Sequence, residues 1–264
     1  MNIYARLRSL FGRLYRPPKD RSSEILIFGD SHTDALVRAI KARGDSPATS
    51  AITALRLRKE KNGKQIGDMS LEEFLKRTKW LQPRDIIFSM VGGNQHAILS
   101  TIQHEVAFDF CSDGMEPASA TVHMIPNRAI KEYLSAGVYG RDGQMLRAMR
   151  NATQARIVHI VPPPPKKDAE HILRHQESHF SEGNIAQLGV SDALLRKKAW
   201  DLQATILKEL CRELEIKILM PPEESLCPEG FLAKEFYARD ITHANAHYGE
   251  LVLQQVEKFV AQAS

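Results

Sequence analysis

Short apolar runs alternate along the chain with longer stretches whose apolar positions recur every three or four residues. Residues 25–28 read as a buried strand, and Ala35, Leu36, Ala39 and Ile40 behind it fall at helical spacing. Residues 50–57 predict a second strand. Residues 71–80 predict a helix opened by Ser70, with Glu73 three positions on, the signature of a capping box. Residues 85–91 form a third apolar run, closed by Gly92-Gly93, and residues 156–161 a fourth, stopped by Pro162–Pro165. A long helical pattern over 191–214, a short strand over 215–220 and a final helix over 246–261 complete the alternation. Near-continuous apolar strands separated by helices predict a parallel sheet covered on both faces, an α/β architecture. Functional groups of such sheets gather at the carboxyl ends of the strands.

Two stretches interrupt the pattern. Residues 97–150 exceed what one crossover needs, and residues 166–190 are polar and rich in histidine. Both follow strand ends, so both are candidate walls or lids of a site.

The net charge of +4 is concentrated at one end. Six basic residues (Arg6, Arg8, Arg13, Arg16, Lys19, Arg21) face Asp20 alone before Glu24, which leaves the remainder of the chain at −1. A nucleic-acid-binding body would carry a basic face of its own, and charge gives none, so no nucleic-acid partner is expected. Residues 1–23 read as a basic amphipathic extension, with Ile3, Leu7, Leu10, Phe11 and Leu14 at helical spacing, ahead of one domain over 24–264. Such a segment either docks on the body or lies peripherally on an anionic membrane surface. Arginines interrupt its apolar residues, which disfavours a secretory signal. Cys111, Cys211 and Cys227 are odd in number and lack CxxC spacing, which predicts free thiols and a cytoplasmic address.

The chemistry concentrates in three places. Gly29-Asp30-Ser31 stands where the first strand ends, Gly92-Gly93-Asn94 where the third ends, and Asp240-Ile241-Thr242-His243 just before the final helix. Ser31 has a plain alternative as a helix cap, and Asp240 has another. Three-residue spacing in a turn entering a helix can set Asp240 against one imidazole nitrogen of His243, leaving the other to face a serine. GxSxG, GxGxxG, Walker-type and HExxH patterns are absent. His171, His175 and His179 recur every four residues and would share a helical face, read as a solvated face in preference to a metal site. His32 and His96 adjoin motifs and are assigned no role.

Taken together and in this order, the motifs resemble those of the SGNH (GDSL-type) hydrolase superfamily across roughly residues 24–260. The resemblance implies a flavodoxin-like three-layer α/β/α sandwich. It implies Ser31 as nucleophile, His243 as base, Asp240 as its orienting carboxylate, and an oxyanion hole of the Ser31 N–H, Gly67 and the Asn94 amide. Asn245 and Gly249 match the usual continuation of the last block. The implied activity is cleavage of an acyl ester, with acetyl as a candidate acyl group and a small molecule or glycan as the alcohol, without cofactor or metal. An O-acyltransferase using the same triad, or a binding module of the same fold, are the alternatives. Oligomeric state is not legible.

Overall fold

The computed structural model describes residues 23–44, 52–61, 63–112, 122–175 and 185–263. The amphipathic pattern of the first 22 residues and His179 lie outside them. In chain order the first elements are β1 (Ile25–Gly29), α1 (Thr33–Arg43), β2 (Ile52–Arg56) and an antiparallel pair, β3 (Lys59–Lys61) and β4 (Lys64–Ile66). There follow α2 (Leu71–Thr78), β5 (Ile86–Met90), α3 (Gln95–Ser100) and a small parallel pair, β6 (Phe108–Phe110) and β7 (His123–Ile125). Helix α4 (Asn127–Gly137) runs through a π-helical turn (Val138–Asp142) into α5 (Gly143–Ala152). The chain continues as β8 (Arg156–Ile160), α6 (Ala169–Arg174), α7 (Ile185–Leu188), α8 (Ala193–Glu213), β9 (Lys217–Leu219) and α9 (Ala246–Ala263).

The five main strands form one parallel sheet in the order β2-β1-β5-β8-β9. Successive side chains of a strand point to opposite faces, and both faces here are covered. Leu26 and Phe28 of β1, Ile87 of β5 and Ile157 of β8 face a core built with Phe74 of α2, Leu134 of α4, Leu146 of α5 and Leu207 of α8. Ile25, Ile27, Ile86, Phe88, Val158 and Ile160 face the opposite core, built with Leu36 of α1 and Tyr248, Val252 and Val256 of α9. The sequence expectation of a three-layer α/β/α sandwich therefore holds, and Phe28 stacks on Phe74 with ring centroids 3.9 Å apart. The capping box is present: Ser70 Oγ accepts from the Glu73 N–H and the Glu73 carboxylate accepts from the Ser70 N–H.

The stretch 97–150 differs from an insertion added to a crossover. Its second half is the crossover, because Ile130, Leu134, Val138 and Leu146 carry one apolar stripe from α4 through the π turn to α5, against the sheet. Among the described residues of its first half, β6 and β7 form a separate two-stranded pair. They are tied to α8 by a buried ion pair, Lys198 Nζ to Asp109 Oδ1 at 2.6 Å. In the stretch 166–190, α6 ends at Arg174, so His171 stands in the helix and His175 at its cap. Their rings lie side by side, 4.2 Å apart centroid to centroid. Ile172 and Ile185 from this stretch pack on Ile241 of the D-x-x-H loop, which makes it a wall of that loop.

His159, in the middle of the sheet, is fully buried, and burial pushes its pKa down to about 4. His96 is lowered to about 4 and His32 to about 3, again by burial first. Between the unfolded value near 6.5 and these folded values, the unfolded chain binds more protons than the folded one, so stability falls as pH falls through that window. Denaturation midpoints should drop between pH 7 and pH 4.5, and more shallowly in His159→Leu, which has no charge to gain. An unchanged pH slope in that variant would contradict a neutral buried His159.

Candidate active site

The register of β1 against β5 sets Gly29 opposite Met90, and the Asp30 N–H donates to the Met90 carbonyl at 3.0 Å. Ser31 and Asn94 thus leave the sheet from adjacent strands at the same edge. Helix α1 begins behind Ser31 without any side-chain cap, so the helix-cap reading of Ser31 fails. Its Oγ lies 2.7 Å from Nε2 of His243 instead. Nδ1 of His243 lies 2.7 Å from Asp240 Oδ2. An acceptor-only carboxylate requires that Nδ1 carry the proton, which leaves Nε2 as the acceptor for the serine hydroxyl.

Asp240 does not cap α9. Asn245 does, its Oδ1 accepting from the His247 and Tyr248 N–H groups while its Nδ2 donates to the carbonyls of Glu235 and Tyr237. Asp240 is turned inward, its Oδ1 accepting from the backbone N–H groups of Thr242 and His243. Burial resists ionisation of this carboxyl, but the hydrogen bond from His243, the His243 charge and Lys166 outweigh it and hold the pKa well below the usual carboxylate range. Lys166 is fully buried and donates to the carbonyls of Ala238 (2.8 Å) and Asp240 (2.5 Å), with Asp240 Oδ1 at 3.4 Å. Burial brings its pKa down to about 8 against the opposing pull of Asp240. A single ammonium therefore pins the loop that carries the Asp–His pair.

The Gly92-Gly93-Asn94 turn is held by two carboxylates. Asp30, 1% exposed, accepts from the Gly92 N–H at 2.6 Å and is paired with Lys59 of β3 (2.5 Å) and with Arg141 of the π turn (3.1 Å). Burial opposes its charge, and Arg141, Lys59 and the Gly92 N–H together lower its pKa nonetheless. Asp142 accepts from the Gly93 N–H at 3.0 Å and from Gln95 Nε2 at 2.7 Å, and burial raises its pKa. Gly92 and Gly93 have φ of +73° and +89°, and a Cβ on Gly92 would fall 1.9 Å from the Asp142 carboxyl carbon. Both left-handed geometry and space demand glycine there.

Among the described residues, the Ser31 N–H and the Asn94 Nδ2 donate to nothing, so both remain available to a ligand at this edge. Gly67 lies at the same strand edge, but its close neighbours are Leu57 and Arg58, where a Cβ would meet the Leu57 carbonyl oxygen at 2.5 Å. The structure therefore brings Ser31, His243 and Asp240 into one hydrogen-bonded chain with Asn94 nearby, and gives Gly67 a packing reason of its own. Residues that sequence reasoning left without a role, Arg141, Asp142 and Lys166, supply the supports. Nothing in the sequence marked them.

The chain matches a GDSL-like lipase from Bacteroides thetaiotaomicron VPI-5482 over 99% of its own length and 98% of that chain, with a TM-score of 0.51 and 14% identity. The fold is that of a GDSL-type hydrolase. A carbohydrate acetylesterase from Sinorhizobium meliloti is matched at a TM-score of 0.46 and 10% identity, over 92% of this chain and 100% of that one. No family model and no curated protein matches the sequence. In this GDSL-type fold the described residues hold no group of three or more His, Cys, Asp or Glu side chains arranged to bind a metal ion.

Replacing Asp142 by Ala would leave the buried Gly93 N–H and the Gln95 amide without their acceptor. Each unpaired buried donor costs about 1–3 kcal/mol, to be read as a lowered urea midpoint. A midpoint equal to wild type would mean that water replaces the carboxylate without loss.

Proposed function

We propose that the protein is a serine esterase that cleaves a short acyl ester. The observation that carries this reading is the unbroken chain Asp240–His243–Ser31, with both links at 2.7 Å. A serine hydroxyl is a weak nucleophile at neutral pH and needs a base within hydrogen-bond reach, and the base needs an orienting partner. Ser31 Oγ attacks the ester carbonyl carbon as its proton passes to His243 Nε2. The negative charge moves to the carbonyl oxygen, where the Ser31 N–H and the Asn94 amide are available as donors, with the Gly67 N–H assigned as a third. The C–O bond to the alcohol then breaks, and His243 returns the proton to the departing oxygen. Water, deprotonated by His243, attacks the acyl-serine. Ser31 is regenerated and the carboxylic acid released. Asp240 stays ionised throughout and stabilises the imidazolium formed in each half.

Charge placement supports this assignment. The Asp240 carboxyl, kept ionised, favours a positive His243 at the moment the proton arrives. A cavity of about 20 Å³ lies beside Asn94, lined by Ala97, Pro163 and Ile241 together with the polar His32, Ser100 and Arg196. Since one water needs roughly 10–15 Å³ of such volume, the cavity suits a methyl group and hence an acetyl ester. A carbohydrate is the first alcohol to test.

Purified protein should hydrolyse p-nitrophenyl acetate faster than p-nitrophenyl hexanoate, and release acetate from an acetylated saccharide. Ser31→Ala should abolish turnover while keeping its circular dichroism spectrum. Asn94→Ala should lower kcat by about two to three orders of magnitude, the usual cost of an oxyanion donor. Equal rates in wild type and Ser31→Ala would contradict the nucleophile, and a preference for hexanoate would contradict the short acyl group.

A further inference from the structure

Asn94 opens α3, yet its side chain makes no capping bond to that helix. Its Oδ1 lies 3.0 Å from Nε2 of His32, the residue directly after the proposed nucleophile. His32 is 6% exposed and its side chain caps nothing on α1. Its other ring nitrogen, Nδ1, is buried without a partner among the described residues. A carbonyl oxygen only accepts, so the bond requires the proton on Nε2, and the unpartnered Nδ1 is then a bare lone pair. An imidazole in this setting has to be neutral, because a cation would bury a second N–H with nothing to receive it. Burial and the neighbouring His243 agree, pushing its pKa down to about 3.

An asparagine amide rotated by half a turn exchanges a donor for an acceptor. With Oδ1 occupied by His32, Nδ2 is the end left over, and it has no partner among the described residues. In the flipped state, Oδ1 would face the developing oxyanion and repel it. We propose that His32 is a positioning residue for the oxyanion hole, its Nε2–H locking the Asn94 amide so that Nδ2 faces the reacting carbonyl oxygen. The inference rests on the esterase reading and adds to it a residue that lines the cavity beside Asn94 and acts through the Asn94 amide. A rival role exists: the His32 ring lies 4.8 Å, centroid to centroid, from the His243 ring and could act by packing against the base.

Two substitutions separate a donor from a ring. His32→Phe keeps a ring and removes the N–H, while His32→Gln removes the ring and restores an amide donor at similar reach. The lock predicts that kcat for p-nitrophenyl acetate falls about tenfold to a hundredfold in His32→Phe, within the range of a lost oxyanion donor, with KM changed less than twofold. His32→Gln should recover most of that loss. It also predicts that His32→Phe has no further effect in an Asn94→Ala background, since residues acting as one unit are non-additive. Full activity in His32→Phe, or losses that multiply in the double variant, would overturn it. Should His32→Phe fail to fold, the ¹⁵N–¹H spectrum of the wild-type imidazole decides the same point. A neutral Nε2–H tautomer at pH 7 supports the lock, and an Nδ1–H tautomer or an imidazolium overturns it. A wild type without esterase activity that shows the Nε2–H tautomer would remove the esterase reading and leave the His32–Asn94 bond standing.

Discussion

The hydrogen bond between Ser31 and His243 joins residues 212 positions apart, and it exists because α1 and α9 lie almost backbone against backbone. The contact turns on Gly249, where a Cβ would fall 2.1 Å from the Ala35 carbonyl oxygen. Any other residue at 249 would push α9 off α1 and carry the D-x-x-H loop away from the end of β1. Arg43 strengthens the same contact from the surface, forking onto Glu250 at 2.7 Å and pairing with Glu257. The glycine is thus a geometric condition of the site at a distance from it, as the β1–β5 register is for the spacing of Ser31 and Asn94.

Charge is distributed beneath this edge with a consistent purpose. Isolated buried ions are costly, and those near the site serve as anchors for backbone that side chains of regular structure do not hold. Asp30 and Asp142 bind the N–H groups of the Gly92-Gly93 turn, and Lys166 binds the carbonyls of the loop around Asp240. Arg141 and Lys59 balance Asp30. The π turn between α4 and α5 brings Arg141 and Asp142 to bear on that turn together. Irregular backbone near a site is characteristic of such insertions into helices.

Periodicity made the strands and long helices legible because their apolar stripes are driven by burial on both faces of one sheet. The strand ends bearing Ser31 and Asn94, and the spacing of Asp240 and His243, were legible because each motif sits at a boundary of that periodicity. Two kinds of feature escaped. Lys166, directly after four prolines and followed by Lys167, looks like solvated loop, and its burial depends on the fold of residues 238–240. Asp142 and Arg141 interrupt a helical stripe in the manner of ordinary exposed charges, and it is the kink at Gly140, where ψ is −105°, that turns them toward the site. The four-residue interval of His171 and His175 does bring their rings side by side, although α6 stops at Arg174 and the second is its cap.

The proposed chemistry requires that His243 activate Ser31. Its most direct test is reaction with a fluorophosphonate, followed by intact mass and peptide mapping, in the wild type and in His243→Ala. The account predicts one adduct per chain, on the peptide containing Ser31, and its loss in the variant. No adduct on the folded wild-type protein, or an adduct elsewhere, would contradict it.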